Sequence, residues 1–283
     1  MFLHKKELQF EAKPEKSDPL LAKQIQELIG GQFGEMSVMM QYLFQGWSVR
    51  GEGNQKYKDL ILDIATEEIG HVEMLATLVA RLLDDAPVED QEAAAKMPVI
   101  GAALSGMNPQ HAIVSGLGAR PADSVGNPWQ GSYIISSGNL LADFRANLNA
   151  ESQGRLQACR IYEMTTDKGV KDLLSVLIAR DSYHQNLWAA AIAELEEKEG
   201  LLVPSTFPRE KERLDLAYSL YNHSEGEYSS EGSWAHGQAL DGQGELRYES
   251  TPPIEGSIPM LKAAPLSTHN TLPADKDKSM MER

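Results

Sequence analysis

The pattern of apolar and polar positions along the chain predicts four long helices. Apolar side chains recur every three to four residues in four segments, which is the period of an amphipathic helix. Asp18 and Pro19 begin the first segment, because an acid at the N-cap and proline at the first helical position both favour a helix start. The four predicted helices occupy residues from about 18 to 50, 56 to 83, 138 to 165 and 170 to 197.

The rest of the chain divides around these helices. Residues from about 84 to 137 are rich in Gly, Pro, Ser and Asn and are too many for a simple turn, so we expect the crossover between helices 2 and 3. The predicted domains are therefore a strand-like segment at 1–17, a four-helix bundle at 18–199, and an extended C-terminal arm at 200–283. The predicted fold class is all-α.

Composition narrows the class of protein. The 283 residues include 41 acidic and 26 basic side chains, and the net charge of −15 disfavours nucleic acid as a partner. A single cysteine, Cys159, allows neither an intrachain disulfide nor a metal site built on several thiolates. The N-terminus does not resemble a secretory signal, and no segment has the roughly 20 apolar residues that cross a membrane. We therefore expect a soluble, cytoplasmic protein with no membrane partner.

The predicted helices carry metal-ligating side chains in a recurring order. Along the chain these are Glu35, Glu68-x-x-His71, Glu151 and Asp181-x-x-His184. Residues three apart lie on one helix face, so each acid-x-x-His set presents both groups together. The interval from Glu35 to Glu68 is 33 residues, and so is the interval from Glu151 to His184. This order is typical of dinuclear metal sites in ferritin-like four-helix bundles.

The ligand types indicate manganese or iron. Carboxylates and imidazoles suit both metals, and burying several carboxylates without a cation is costly. Taken singly, each group has an ordinary explanation: Glu67 and Glu68 as exposed glutamates, His71 as a core histidine, and His184 as a surface partner of Asp181. Their joint order on four helices favours the metal site.

One aromatic residue lies on the same predicted helix face as the first glutamate. Tyr42 follows Glu35 by two helical turns. Its hydroxyl either donates to a liganding carboxylate or belongs to a core aromatic ring that is satisfied elsewhere, and the spacing does not decide between the two.

Three segments resemble the manganese (non-haem) catalases: ATEEIGHVEM at 65–74, NLLADFRANLNAES at 139–152 and IYEMT at 161–165. The resemblance extends over nearly the whole chain. It implies disproportionation of hydrogen peroxide to water and dioxygen at a dimanganese site, with Glu68 as the bridging ligand. The candidate catalytic residues are Glu68, Tyr42 and Asp181. The two manganese ions per subunit would be held by Glu35, Glu68, His71, Glu151 and His184.

The same resemblance implies an assembly and a second metal. Members of the family are commonly homo-hexamers in which C-terminal arms wrap neighbouring subunits. A structural calcium site is also implied, and its oxygen-rich ligand set suits calcium. The residues that match this site are Asp59, Asp63, Asn222, Ser224 and Gly226.

Two departures and two alternatives accompany the resemblance. Asp181 stands where some members have Glu, and Ala150 where some have Arg. The alternatives are a ferritin-like diiron oxidase, peroxidase or iron store, and a structural coat protein that retains the bundle. Because Asp181 is one methylene shorter than Glu, we expect five ligands rather than six, which favours the manganese catalase.

Overall fold

The computed structural model describes residues 3–85, 108–200, 207–262, 264–265 and 268. The chain forms two compact units, Met1–Thr206 and Phe207–Arg283. Six α-helices are described in the first unit: α1 (Pro19–Gly30), α2 (Glu35–Ser48), α3 (Gln55–Leu83), α4 (Pro109–Ile113), α5 (Leu140–Met164) and α6 (Lys168–Glu199). Short 3-10 turns lie at Glu52–Asn54 and Gly131–Tyr133. The predicted C-terminal end of the bundle at residue 199 stays a prediction.

The first predicted helix is two helices, so the prediction of one continuous segment was wrong. The amide of Gly31 donates to the carbonyl of Glu27 and ends α1, and Gly34 then caps α2. A Cβ atom at Gly34 would lie 2.8 Å from the carbonyl oxygen of Ile29, so only glycine allows this close turn. The apolar period runs through the break, which is why the pattern alone did not reveal it. Glu35 consequently lies in the first turn of α2.

Two apolar layers flank a polar layer within the bundle. One layer contains the buried side chains of α1, the C-terminal half of α3 and the N-terminal half of α6, such as Leu78 and Leu174. The other contains the N-terminal parts of α3 and α5 and the C-terminal half of α6, around Phe144 and Trp188. Each fully buried aliphatic or aromatic side chain contributes about 1.5–3 kcal/mol. Residues 68–71, 151 and 181–184 fall between these layers along their helices.

The N-terminal segment forms no strand in its described part, residues 3–17, where we predicted a strand-like segment. Its backbone is held against the start of α6 instead. The amide of Glu15 donates to Asp167 Oδ2 at 2.7 Å, while Asp167 Oδ1 caps the helix by accepting from Val170. A Cβ atom at Gly169 would lie only 1.6 Å from the carbonyl oxygen of Lys13, so glycine is needed for this approach.

The predicted crossover is described from residue 108 onward, and residues 86–107 lie outside the described part of the chain. Its described portion is held to the bundle by buried amide side chains. Gln26 donates to the carbonyls of Arg120 and Ala122. Gln45 and Gln41 pair with Asn147 and also bind the backbone of Ile135. These bonds fix the crossover over α1 and α2.

The second unit is not a purely extended arm. It contains a helix, α7 (Leu214–Ala217), and three short strands: β1 (Ser219–Tyr221), β2 (Gly237–Gln238) and β3 (Glu245–Glu249). The strand order is β1-β3-β2, with β1 parallel to β3 and β2 antiparallel to it. Short 3-10 turns lie at Arg209–Lys211 and Tyr228–Glu231. Among the described residues of both units, no helix is long and apolar enough to cross a membrane.

Candidate metal centre

Glu68 lies between the two predicted histidine ligands. Its Oε2 is 2.6 Å from His71 Nδ1, and its Oε1 is 2.9 Å from His184 Nδ1. His71 is on α3 with Glu68, whereas His184 comes from α6, so this carboxylate joins two helices. The imidazole rings are nearly parallel, with an interplanar angle of 27° and centroids 5.9 Å apart. Each oxygen of Glu68 therefore faces a different imidazole.

The predicted ligands come together in two groups. In each group one ligating atom per residue lies within 4.8 Å of the others. One group is Glu68, Glu151 and His184, and the other is Glu35, His71 and Asp181. The predicted ligands are thus close enough to share a pair of ions. Asp181 lies with Glu35 and His71, although its own helix carries His184.

The donor atoms fit metal ions with nitrogen and oxygen ligands. Glu68, His71 and His184 are fully buried, and Glu151 is nearly so. Glu68 Oε1, His71 Nε2 and His184 Nδ1 have no hydrogen-bond partner among the described residues. The contact of 2.9 Å between Glu68 Oε1 and His184 Nδ1 lacks hydrogen-bond geometry, so both atoms keep a lone pair or proton unsatisfied. Buried polar atoms are costly without a partner, and a bound cation would satisfy Glu68 Oε1 and His184 Nδ1.

Electrostatics within the cluster also favours a cation. Burial, together with the charge of Glu68, raises the pKa of Glu35 well above its ordinary value. Burial opposes ionisation of Glu68 as well, but His71 and His184 outweigh it and lower the pKa of this carboxyl. The contacts with Glu151, Glu67 and Glu68 raise the pKa of His184 to about 12 despite its burial. A divalent cation would relieve this crowding of carboxylates.

Two further predicted residues contact the cluster. The buried hydroxyl of Tyr42 donates to Glu151 Oε1 at 2.7 Å, so of the two alternatives its hydroxyl contacts a carboxylate of the cluster. Asp181 is also buried. Burial and the charges of Glu151 and Glu68 raise its pKa well above the ordinary value. Asp181 therefore holds a proton more readily than an exposed aspartate does. Ala150, which precedes Glu151, is buried and brings no charge.

The sequence analysis missed Glu67, which contacts both histidines, and Arg180, which binds Glu67. Glu67 was considered only as an exposed glutamate, yet its Oε2 is 3.3 Å from His184 Nε2 and its Oε1 is 3.6 Å from His71 Nε2. Arg180 binds the same carboxylate from α6. The spacing of four residues from Glu67 to His71, and from Arg180 to His184, was a usable signal, because such residues share a helix face.

The residues predicted for calcium are described separately in the two units. Asp59 and Asp63 are exposed on α3, and Asp59 Oδ1 accepts a hydrogen bond from Gln55. In the second unit, Asn222 Oδ1 accepts from the amide of Ser224. The carbonyl of Gly226 lies 3.5 Å from the Tyr248 hydroxyl. The calcium site stays a prediction.

Comparison with known proteins identifies the family. The family model described as manganese containing catalase matches residues 1–282. A manganese catalase of Bacillus subtilis (strain 168) is 62% identical over 273 residues, covering 96% of this chain and 99% of its own. A manganese catalase of Lactiplantibacillus plantarum is 42% identical over 270 residues, covering 95% and 99%.

A solved structure supports the same conclusion. The crystal structure of KatB, a manganese catalase from Anabaena, matches with a TM-score of 0.68 and 28% identity, over 89% of this chain and 100% of the other. The predicted all-α, ferritin-like bundle is thereby confirmed. The chain belongs to the manganese-containing catalase family, and its reaction is the disproportionation of hydrogen peroxide to water and dioxygen.

Proposed function

We propose that this catalase works with two manganese ions per subunit, bound between α2, α3, α5 and α6. The five proposed ligands are Glu35, Glu68, His71, Glu151 and His184. The observation that carries the proposal is the position of Glu68, whose two oxygens face different imidazoles at 2.6 and 2.9 Å. A carboxylate in this position can bridge two ions, with Glu35 and His71 on one side and Glu151 and His184 on the other.

The reaction must move both electrons and protons. One hydrogen peroxide molecule loses two electrons and two protons and leaves as dioxygen. A second molecule gains two electrons and two protons, and its O–O bond breaks to give two waters. Bound manganese supplies the reversible store for the two electrons. The protons need a group of the protein that can hold them between the two half-reactions.

Asp181 is the proposed proton-holding group. It is buried, its pKa is raised by burial and by Glu151 and Glu68, and it lies in one group with Glu35 and His71. Tyr42 has a different proposed role. Its hydroxyl donates to Glu151 Oε1 and so fixes the orientation of that carboxylate.

Apolar side chains keep bulk water from the proposed site. Trp188 lies one helical turn after His184 and packs against Tyr42 and Phe144, with ring centroids 5.1 and 5.3 Å away. All three rings are fully buried. Electrostatic interactions between the ligands and the reacting atoms are stronger when water is excluded in this way.

We further propose a homo-hexamer with structural calcium in a cytoplasmic enzyme. Exposed apolar side chains in the second unit support an arm that packs on a neighbouring subunit, since such surfaces mark interaction sites. These side chains are Leu240, Ile254, Ile258, Met260 and Leu261. The proposed calcium ligands supply oxygen atoms, as calcium prefers. Elemental analysis for calcium and sedimentation with and without a calcium chelator would test both proposals.

The proposed centre is tested by metal analysis combined with an oxygen-electrode assay. Metal-free protein is loaded with manganese or with iron, and azide is included to block any contaminating haem catalase. We expect about two manganese ions per chain, because the five nitrogen and oxygen ligands form one dinuclear set, and oxygen evolution only with manganese. Activity restored by iron alone would contradict the proposal.

A further inference from the structure

Both buried imidazoles turn their outer nitrogen toward the same carboxylate. Glu67 Oε2 lies 3.3 Å from His184 Nε2, within hydrogen-bond distance. Glu67 Oε1 lies 3.6 Å from His71 Nε2, a charge contact rather than a hydrogen bond. Because the two rings are nearly parallel, a single side chain reaches both.

The inner nitrogens face the proposed metal ligands. His71 Nδ1 is 2.6 Å from Glu68 Oε2 and 3.7 Å from Glu35 Oε2. His184 Nδ1 is 2.9 Å from Glu68 Oε1 and 3.5 Å from Glu151 Oε1. A neutral imidazole carries one proton, so a proton on Nε2 leaves the lone pair on Nδ1 for a cation.

We propose that Glu67 is a positioning residue that holds the proton on Nε2 of His184 by a hydrogen bond and favours the same tautomer of His71 through its charge. It would thereby present Nδ1 of each histidine to the metal pair. This inference rests on the proposed ligand assignment. Carboxylates that bind the outer nitrogen of a ligating histidine fix its tautomer and its ring orientation. Here one carboxylate acts on two proposed ligands on two helices, through a hydrogen bond to His184 and through charge alone on His71.

Arg180 completes the arrangement by fixing Glu67 itself. Its Nε donates to Glu67 Oε1 at 2.6 Å and its Nη2 donates to Glu67 Oε2 at 3.0 Å. This bidentate geometry sets the plane of the carboxylate as well as its position. Arg180 precedes His184 by one helical turn, and its guanidinium lies 4.9 Å from the centre of the Tyr183 ring.

The inference is tested by the rate at which manganese-loaded Glu67→Gln protein releases its metal to a chelator. This measurement does not depend on catalytic activity. The amide cannot accept through both atoms, so we expect release about 10–100-fold faster than from wild type. A matched control is Glu196→Gln, which breaks the pair with Arg145 between α5 and α6. The side chains of Glu196 and Arg145 are 25% and 37% exposed, close to the 20% and 39% of Glu67 and Arg180.

We expect the control to retain manganese as wild type does, while both variants show a similar small loss of thermal stability without metal. Arg180→Lys keeps the charge but loses the bidentate contact, so its release rate should lie between wild type and Glu67→Gln. Wild-type release from Glu67→Gln would overturn the inference. Failure of the wild-type chain to bind manganese would instead overturn the ligand assignment.

Discussion

The two halves of the bundle, α1 to α3 and α5 to α6, each carry an acid-x-x-His set but use these sets differently. In the first half, Glu68 bonds to its own His71 and also lies 2.9 Å from His184 of the other half. In the second half, Asp181 groups with Glu35 and His71 rather than with its own His184. Equal spacing puts each acid on the correct helix face, but the side-chain length and the packing decide what it reaches.

The electrostatic environment separates the two acids further. His71 and His184 lower the pKa of Glu68 against the effect of burial. Burial and the charges of Glu151 and Glu68 raise the pKa of Asp181. Glu68 is therefore stabilised as an anion between two imidazoles, whereas Asp181 holds a proton more readily than an exposed aspartate does. A repeated motif in a bundle does not imply a repeated role.

The largest effect is expected from Glu68→Ala, which removes the acid that joins the halves. We expect oxygen evolution to fall by at least about a thousandfold. Removing a group that only hydrogen-bonds to a metal ligand already lowers metal affinity or activity by about 10–100-fold. The oxygen electrode measures the activity, and circular dichroism checks that helix content is largely unchanged.

Glu73→Ala is a matched control for that variant. Glu73 lies on the same helix, partly exposed, where it contacts His4. We expect this variant to keep its manganese and its activity. Wild-type turnover by Glu68→Ala would remove Glu68 from the site and with it the proposed difference between the halves.

Asp181→Asn tests whether the second acid acts as a proton carrier or as a sixth ligand. If Asp181 carries protons, the substitution should reduce turnover by about a hundredfold, a typical contribution of general acid-base catalysis, and the manganese content should stay unchanged. Asp181→Glu, which only lengthens the side chain, should retain more activity than Asp181→Asn. A marked fall in bound manganese in Asp181→Asn would make Asp181 a ligand and the two halves alike.

The sequence was sufficient for the order and depth of the proposed ligands. Glu68 and His71 lie three residues apart on a strongly periodic helix, so their common face follows from helix geometry alone. This prediction depends on one helix at a time, and one helix has a known period. The spacing of Tyr42 left two alternatives open, because its partner Glu151 lies on another helix.

What the sequence did not reveal depends on packing between helices. The contact of Asp181 with the group of Glu35 and His71 crosses the bundle, and no spacing along the chain encodes it. Glu67 was overlooked because Glu68 already supplied the acid of the acid-x-x-His motif. Glu67 precedes His71 by four residues, so it shares the same helix face. The break between α1 and α2 was hidden because apolar positions continue through Gly31 and Gly34.

Tyr42→Phe tests another difference between the two halves, and we expect it to have a smaller effect on turnover. Tyr42 of the first half binds Glu151 of the second, while no hydrogen bond of this kind is described for Glu35. Losing one hydrogen bond to a charged group corresponds to about 1.5–3 kcal/mol at most, so we expect turnover to fall roughly tenfold with manganese retained. A thousandfold loss would show that the hydroxyl takes part in the chemistry.

The smallest expected effect compares the helix caps of the two halves. Asp18 caps α1 through one hydrogen bond from the amide of Leu21, so Asp18→Ala should lower the unfolding free energy by about 1 kcal/mol. Asp167 binds the amides of both Val170 and Glu15, so Asp167→Ala should cost about 2 kcal/mol or more in urea unfolding. Asp167→Asn keeps an oxygen for Val170 but offers an amide NH₂ group to Glu15, and its loss should be intermediate. Equal losses for Asp18→Ala and Asp167→Ala would mean that the contact between the N-terminal segment and α6 contributes no stability, and that the two halves are capped alike.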